Sequence, residues 1–351
     1  MYTPNSNKSA TKAKRDVRID LLRVLACIAV IGLHTFNRKI SFACAITYYC
    51  CGFAVPMFFM VSGAMLLNRG EVSYIYVRKR VISIIRIILC WSLISASARA
   101  ITGHDWISTP IEFCLLVARV MISSVLQHGA LFHMWFLAAI SIVYILLPLF
   151  SRLTDKSKRL VLFGLTCICI SFQAISVNCS QPVERLIPQA FRMWIWLIYF
   201  ILGGILYNQY GGSDEQTSCK HNVVIPFIAV TILAALMQYY FSTNVVTEDG
   251  VMLPAEYMYS NPMFLVWIVL IFRFALALSI PSMLETVSSK LSKHSMGIYL
   301  IHPLVIRVLT KLWDAGNFLE CLICFSITLV ASYIIDCVFS YIPVIREMVN
   351  L

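Results

Sequence analysis

An arginine and a histidine lie eleven positions apart in a strongly apolar stretch near the start of the chain, LLRVLACIAVIGLHTFNR at 21–38. Along an α-helix, eleven residues rise about 16 Å and return to within about 20° of the same face. Arg23 and His34 are therefore expected on one side of one helix. Hydrocarbon disfavours both groups, so each is expected to face the interior of a helical bundle, a cavity or a partner.

Plainer interpretations stay open at both positions. Arg23 also fits an anchor at the cytoplasmic membrane boundary, with Asp20 one turn below as its ion-pair partner. His34 also fits a satisfied histidine at the outer interface. The functional interpretation is favoured because other polar residues fall at compatible depths.

Two further histidines supply that support. His133 opens the apolar segment LFHMWFLAAISIVYILLPLF beside Trp135, and His302 lies inside SMGIYLIHPLVIRVL. Other polar candidates, if their helices are neighbours, are Asn37, Ser62 and Tyr299. Helical zinc sites usually pair ligands at i, i+3 or i+4, and these histidines show no such pair, so we expect no metal.

A second group of cations lies in RGEVSYIYVRKRVISIIRIILCW. Arg78, Lys79 and Arg80 fit ordinary anchoring at a cytoplasmic membrane edge. Arg86 lies nearly two turns deeper, where a side chain barely reaches water. A basic lining that leads inward from the cytoplasm suits a ligand with several phosphates.

The composition predicts the elements that must position these groups. Of 351 residues, 60% are hydrophobic and 13% are charged, and the mean hydropathy is +0.80. This predicts an all-α, polytopic membrane protein, since each run of about 20 apolar residues can cross the bilayer. The ten predicted spans are 19–37, 44–67, 81–101, 131–150, 160–178, 190–209, 222–241, 262–281, 294–312 and 318–342. The stretch 110–127 is a weaker candidate, interpreted as a helix in the outer interface or re-entering from it.

Lysine and arginine concentrate in alternate loops, which predicts that both termini are cytoplasmic. The expected domains are a basic cytoplasmic segment at 1–18, a transmembrane domain at 19–342 and a short cytoplasmic tail at 343–351. No small-residue cleavage site follows the first apolar run, so we expect no removable signal peptide. This topology and attraction to anionic membrane lipid account for the net charge of +11 without a nucleic acid partner.

Four stretches resemble, in order, motifs of the acyltransferase-3 family of integral membrane O-acyltransferases. They are RIDLLRVLACIAVIGLH, VPMFFMVSGAML, FHMWFLAAISIVYILLPLF and LSKHSMGIYLIHPLVI. Within that family, the chain is most similar to stand-alone bacterial enzymes that acetylate enterobacterial common antigen or O-antigen. Family members often carry two arginines separated by two residues at the start of the third helix; this chain has Arg78, Lys79, Arg80 and later Arg86.

The resemblance implies a multi-pass protein of the bacterial inner membrane that moves an acetyl group from acetyl-CoA to a glycan hydroxyl. The acceptor would be a polysaccharide or a lipid-linked oligosaccharide, and no cofactor would be bound. It implies essential roles for Arg23 and His34. Arg78, Arg80 and Arg86 would hold the CoA phosphates, and the thioester would pass Arg23 to reach His34.

The chemistry needs a base, because a sugar hydroxyl is a weak nucleophile at neutral pH. We expect His34 to be that base and Arg23 to support the donor arm. His302, Tyr299 or His133 would orient His34, bind the acceptor or polarise the thioester oxygen. The acidic outer loop at 242–261 either covers the acceptor site or is simply solvated. Alternative functions are a transporter or flippase of lipid-linked sugar, and a non-catalytic assembly subunit.

Overall fold

The computed structural model describes residues 15–103, 105, 107–211, 224–245, 252–343 and 346. Within these ranges the chain is helical, with short 3-10 turns and no β-strand. The α-helices are α1 (Val17–Thr35), α2 (Phe42–Cys50), α3 (Ala54–Leu66), α4 (Tyr74–Ile101), α5 (Pro110–Val125), α6 (Trp135–Arg152), α7 (Asp155–Cys179), α8 (Met193–Tyr210), α9 (Val224–Asn244), α10 (Pro262–Ala277), α11 (Ser282–Leu312) and α12 (Phe318–Tyr341).

Seven helical segments of the described chain are long and apolar enough to cross a membrane. They are Phe42–Leu66, Tyr74–Ile101, Phe132–Arg152, Asp155–Cys179, Ile225–Asn244, Ser282–Leu312 and Phe318–Tyr341. The predictions of an all-α fold and of a multi-pass membrane protein are thus confirmed. The helices α1, α8 and α10 correspond to the remaining predicted spans, and the total of ten stays a prediction.

Three helix boundaries differ from the predicted spans. The second span is two helices, α2 and α3, joined by a 3-10 turn at Cys51–Phe53. The fourth begins as a 3-10 turn at Phe132–Met134, so His133 precedes the regular helix. The ninth starts twelve residues earlier than predicted, at Ser282, because the polar stretch before residue 294 is also helical.

The weaker candidate at 110–127 forms α5, a regular helix with a capping box between Thr109 and Glu112. Its residues Leu116 and Val117 pack against Ala96 of α4. A capping box satisfies the backbone N–H groups of the N-cap residue, here Thr109, and of the third helical residue, Glu112, which explains why this short segment begins where it does.

Contacts at the start of α1 define one end of the bundle. Arg18 donates hydrogen bonds to the carbonyl oxygens of Gly211, just after α8, and of Leu276 near the end of α10. Arg15 donates to Ser292, ten residues beyond the first residue of α11. The start of α1 therefore meets the ends of α8 and α10, as antiparallel neighbours require, and the first third of α11. Most of the predicted basic segment at 1–18 and of the tail at 343–351 lies outside the described residues, and the cytoplasmic assignment of this end stays a prediction.

The centre of the bundle is the contact between α3 and α8, which is closer than ordinary side chains permit. Gly63 faces the backbone of Phe200, and Gly203 faces the backbone of Met60. Beside them the Phe59 and Trp196 rings stack with centroids 4.7 Å apart. Small residues at a helix interface allow this approach, which gains van der Waals contact in a membrane where burial of apolar surface contributes little.

The helices that carry the predicted site residues fall into two groups. The helix α4 packs mainly against α5 and α6, whereas α1 packs mainly against α3 and α11. Tyr144 of α6 lies within electrostatic range of Arg23 of α1, and the turn at Phe132–Met134 contacts α11. The group of α4, α5 and α6 therefore meets the group of α1, α3 and α11 at the site.

Candidate active site

Three histidines from three separate elements meet at the end of the bundle opposite Arg18. The rings of His34 on α1 and His302 on α11 stack, with centroids 5.4 Å apart. The ring of His133, in the turn before α6, lies 5.9 Å from that of His302. Phe132 meets His34 edge-on at 5.2 Å. The three histidines that the sequence places at compatible depths therefore form one cluster in the structure.

The three histidines differ in exposure. His133 and His302 are 2% and 0% exposed. His34 is exposed, beside the two buried rings. His34 is therefore the member of the cluster that a ligand can reach.

Hydrogen bonds fix the surrounding side chains. The Tyr299 hydroxyl donates a short hydrogen bond to the carbonyl oxygen of His133, which ties α11 to the turn before α6. Nδ1 of His302 lies 3.2 Å from the carbonyl oxygen of Ile298, and only a protonated Nδ1 can bond there. In the neutral ring Nε2 is then an acceptor, and among the described residues it has no partner. Both ring nitrogens of His133 are likewise unpartnered there.

Arg23 lies on α1 towards the Arg18 end, with its side chain 26% exposed. Its Nη2 is 2.8 Å from the sulfur of Met65, and its Nη1 is 3.9 Å from Asp20. Asp20 has closer partners, since it accepts hydrogen bonds from Arg15 and from Ser292 at 2.9 Å. Asp20 therefore leaves much of the Arg23 guanidinium available.

Of the predicted basic residues of α4, Arg80 lies near a tyrosine that Arg23 also approaches. Arg80 is partly buried and lies over the Tyr76 ring, with its guanidinium carbon 5.5 Å from the ring centroid. Tyr144 of α6 lies within electrostatic range of Arg80, Tyr76 and Arg23, and it contacts Ser62 of α3. Arg23 of α1 and Arg80 of α4 thus lie near the same tyrosine.

The other basic residues of α4 lie elsewhere on the helix. Arg78 and Lys79 are exposed near its start, and Arg86 is exposed about two turns further on. Arg86 is about 200° around the helix from Ile84 and Ile88, which are buried. Arg86 also lies about 120° around the helix from Arg80, so the two arginines project in different directions.

The remaining predicted residues fall at the edges of the site. Trp135 is buried against Trp196, with ring centroids 5.3 Å apart. Asn37 is exposed one turn beyond His34, and its Oδ1 accepts from the amide of Lys39. In the described part of the chain no group of three or more histidine, cysteine or acidic residues is arranged to hold a metal ion.

Part of the predicted outer loop at 242–261, expected either to cover the acceptor site or to be solvated, lies near the His34 end. Arg38 donates to the carbonyl oxygen of Met252 at 2.8 Å, and Gln127 donates to Glu256 at 2.9 Å. Residues 252–261 therefore lie across the ends of α1 and α5. The acidic residues Glu248 and Asp249 of the same predicted loop lie outside the described residues.

Sequence reasoning also missed Phe132, Tyr144 and the pair His294 and Asp336. Asp336 on α12 is fully buried and lies 2.7 Å from Nδ1 of His294 on α11. A carboxylate inside a predicted span is the signal that could have identified this pair. Tyr144 carries no such signal, because a lone tyrosine in an apolar helix is unremarkable by its sequence.

Comparisons with known proteins assign the chain to a family. Neither the curated proteins nor the solved structures contain a significant match. A family model described as an acyltransferase domain matches residues 16–337, nearly the whole chain. With its apolar spans, the chain therefore belongs to the acyltransferase-3 family of membrane acyltransferases.

Proposed function

We propose that this acyltransferase moves an acetyl group from cytoplasmic acetyl-CoA to a hydroxyl of a cell-envelope glycan, at the outer side of a bacterial inner membrane. The observation that carries the proposal is the pair formed by Arg23 and His34. Both side chains project from one face of α1, about 16 Å apart along the axis, and both are accessible although α1 is largely buried.

The donor would enter at the Arg23 end. CoA carries several phosphates, and guanidinium groups bind phosphate through paired hydrogen bonds. Arg80, which lies near the same tyrosine as Arg23, would hold these phosphates. Arg78 would contribute from the exposed start of α4, whereas Arg86 lies on another face of the helix and would not take part. The pantetheine arm would then run past Arg23 and Tyr144 to bring the thioester to His34.

The reaction would occur at the histidine cluster. The acceptor oxygen forms a bond to the thioester carbonyl carbon as its proton passes to His34, and the carbon–sulfur bond breaks to release CoA, which takes up a proton. The accessible ring of His34 is suited to the base, because a neutral imidazole accepts a proton near neutral pH. His302 and His133, both buried, would orient His34 or polarise the thioester oxygen.

The test is acetylation of surface polysaccharide in a strain that lacks this protein. Mass spectrometry and NMR of the polysaccharide would be compared after complementation with the intact chain or with His34→Ala. The proposal expects loss of one acetyl group per repeat in the deletion strain, restored only by the intact chain. A transporter would instead move sugar across the membrane without releasing CoA. Unchanged acetylation in the deletion strain under expressing conditions would exclude that polymer as the acceptor.

A further inference from the structure

A buried carboxylate and a histidine join α11 and α12 outside the proposed active site. Asp336 on α12 is 0% exposed, and its Oδ2 lies 2.7 Å from Nδ1 of His294 on α11. Gly297, one turn along α11, leaves the space that the carboxylate fills, since a Cβ there would collide with it. Among the described residues Oδ1 of Asp336 has no hydrogen-bond partner. A carboxylate inside a membrane span is costly, so its presence indicates a function beyond packing.

His294 connects this carboxylate with the Arg18 end of the bundle. It lies two residues beyond Ser292, which contacts the segment before α1, and its own side chain is 24% exposed. The adjacent Lys293 is exposed as well. A lysine near the boundary of a span extends its ammonium group to water. His294 can therefore exchange protons with water at this end, whereas Asp336 can do so only through its neighbours.

Two further polar side chains continue from Asp336 along the buried face of α12. Ser332 and Thr328 lie four and eight residues before Asp336, and all three are 0% exposed. Neither hydroxyl has an oxygen or nitrogen partner among the described residues, although Thr328 lies beside the thiol of Cys324, a weak partner. Ser326, on the exposed side of the same helix, instead donates to the carbonyl oxygen one turn before it. Serine in an apolar helix commonly bonds in that way, so the two buried hydroxyls are exceptions that need another partner.

The row formed by Asp336, Ser332 and Thr328 extends to the depth of the histidine cluster. The helices α11 and α12 are antiparallel, because a short loop joins them and they pack against each other. Eight residues from the contact of His294 with Asp336, forwards on α11 and backwards on α12, are His302 and Thr328. Both therefore lie about 12 Å towards the other end of the bundle. His302 is buried with Nε2 unpartnered in the described structure, and its ring stacks on that of His34.

The spacing of the row suits bridging water molecules. Side chains four residues apart on a helix are about 5–6 Å apart at Cβ. This is too far for a direct hydrogen bond, but it matches two bonds of about 2.8 Å through one water molecule. Buried water typically bridges polar groups that would otherwise be unpaired. Hydroxyl groups and water both donate and accept hydrogen bonds, so such a chain can pass a proton. Because Asp336, Ser332 and Thr328 are fully buried, the chain is separated from lipid.

We propose that Thr328, Ser332, Asp336 and His294 carry protons between the histidine cluster and the Arg18 end of the bundle. The inference rests on the proposed function, in which His34 takes the proton of the acceptor hydroxyl. That proton passes by way of His302 to the row, then along it to Asp336 and His294, and into water. The CoA thiolate leaves at the same end and takes up one proton from water, so the reaction neither gains nor loses a proton overall. The four residues touch no substrate; they act through His34 by restoring its neutral form.

The test is steady-state CoA release by the full-length protein in detergent micelles, with acetyl-CoA and a fixed acceptor preparation. Asp336→Asn keeps the size of the side chain but cannot carry a proton, so kcat should fall at least about tenfold while the KM for acetyl-CoA stays within about twofold. Ser332→Ala, a smaller change, should lower kcat at least about threefold in the same way. Ser326→Ala is the matched control on the exposed side of α12 and should leave kcat unchanged.

A small dissolved base distinguishes a blocked proton path from a distorted site. His34 is exposed, so imidazole in solution can take its proton directly. Added imidazole should therefore restore the kcat of Asp336→Asn and Ser332→Ala to within about twofold of the parent value. It should not change the kcat of Ser326→Ala. A site that is merely distorted would not respond to imidazole.

The outcomes separate this inference from the proposed function. Turnover by the parent protein with an unaltered kcat in Asp336→Asn and Ser332→Ala would overturn the proton path and leave the proposed function standing. A lower kcat that imidazole does not restore would also overturn the path alone. Absence of CoA release by the parent protein would overturn both.

Discussion

The imidazole rings of His34 and His302 stack at 5.4 Å, with their planes inclined by 29°. Only His34 is accessible, whereas His302 is fully buried and held by the carbonyl oxygen of Ile298. The stacked pair therefore divides into a ring that a ligand can touch and a ring that supports it. This division makes His34 the better candidate for the base and His302 a positioning residue.

Replacing His34 by alanine should lower acetyl transfer by about 10²–10⁴-fold, the usual contribution of a general base. Acetyl-CoA binding should persist, since the arginines of α4 proposed to bind its phosphates lie towards the Arg23 end of α1, away from His34. The measurements are CoA release and acetyl-CoA affinity of the purified protein. His128→Ala is the matched control, because His128 is exposed near the same end of the bundle and contacts none of the three rings in the described structure. Equal losses in both variants would exclude His34 as the base.

Arg80 and Arg86 provide a paired test of donor binding. Arg80→Gln should raise the KM for acetyl-CoA about tenfold, since a phosphate contact contributes about 1.4 kcal/mol or more. Arg86→Gln, at an exposed position about 120° around α4 from Arg80, should change KM less than about twofold. Steady-state kinetics in detergent micelles with a fixed acceptor preparation would distinguish them. A larger effect at Arg86 would place the donor on the exposed face of α4.

Removing the hydroxyl of Tyr299 tests the link between α11 and the turn before α6. Tyr299→Phe keeps the ring contacts with His133 and His302 but loses the hydrogen bond to the His133 carbonyl. We expect a loss of about 0.5–1.5 kcal/mol in unfolding free energy and a lower kcat with an unchanged KM for acetyl-CoA. Tyr240→Phe, at an exposed tyrosine of α9, is the control. An unaltered kcat would show that this link does not position the cluster.

The Arg18 end of the bundle should respond to acid through Asp16. Burial alone would raise the pKa of this carboxyl, but hydrogen bonds and charge from Arg18, with a hydrogen bond from Tyr207, leave the pKa below its usual value. The folded state is therefore stabilised above the unfolded pKa of about 3.9, and this contribution is lost as pH falls through the lower folded-state pKa.

The Asp16→Asn variant isolates this charge, because asparagine retains the helix-capping role. Its Tm should be lower than that of the parent at pH 6, and the difference should shrink as the pH approaches 3. A difference in Tm that stays constant over this range would mean that the carboxylate charge does not stabilise the fold.

Much of the helical layout could be predicted, because spans depend on runs of apolar residues that composition reveals directly. The meeting of His34, His133 and His302 could also be anticipated, since depth along a span follows from residue count. The extension of α11 back to Ser282 could not, because its first twelve residues are polar and hydropathy does not distinguish an amphipathic helix from a loop.

The orientation of α4 is a second limit. Apolar residues lie on every side of α4 between Val81 and Trp91, so hydrophobic periodicity could not separate the face with Arg80 from the face with Arg86. Tertiary packing against α5 and α6 decides this, and a single sequence contains no record of it. The pairing of Phe59 with Trp196 is of the same kind, since only the glycines between α3 and α8 allow it.

Those glycines give the sharpest prediction about stability. A Cβ at Gly203 would collide with the backbone of Met60, and backbone atoms cannot rotate away as a flexible side chain can. Gly203→Ala should therefore force α3 and α8 apart and lower the unfolding free energy by about 1–3 kcal/mol. Gly164→Ala on α7 is the matched control, because nothing lies within 4 Å of its added Cβ. There alanine should stabilise the helix by up to about 1 kcal/mol through its higher helix propensity. Measured in one detergent, the Tm of Gly203→Ala should fall and that of Gly164→Ala should rise. A rise in both variants would mean that the α3–α8 contact tolerates a methyl group.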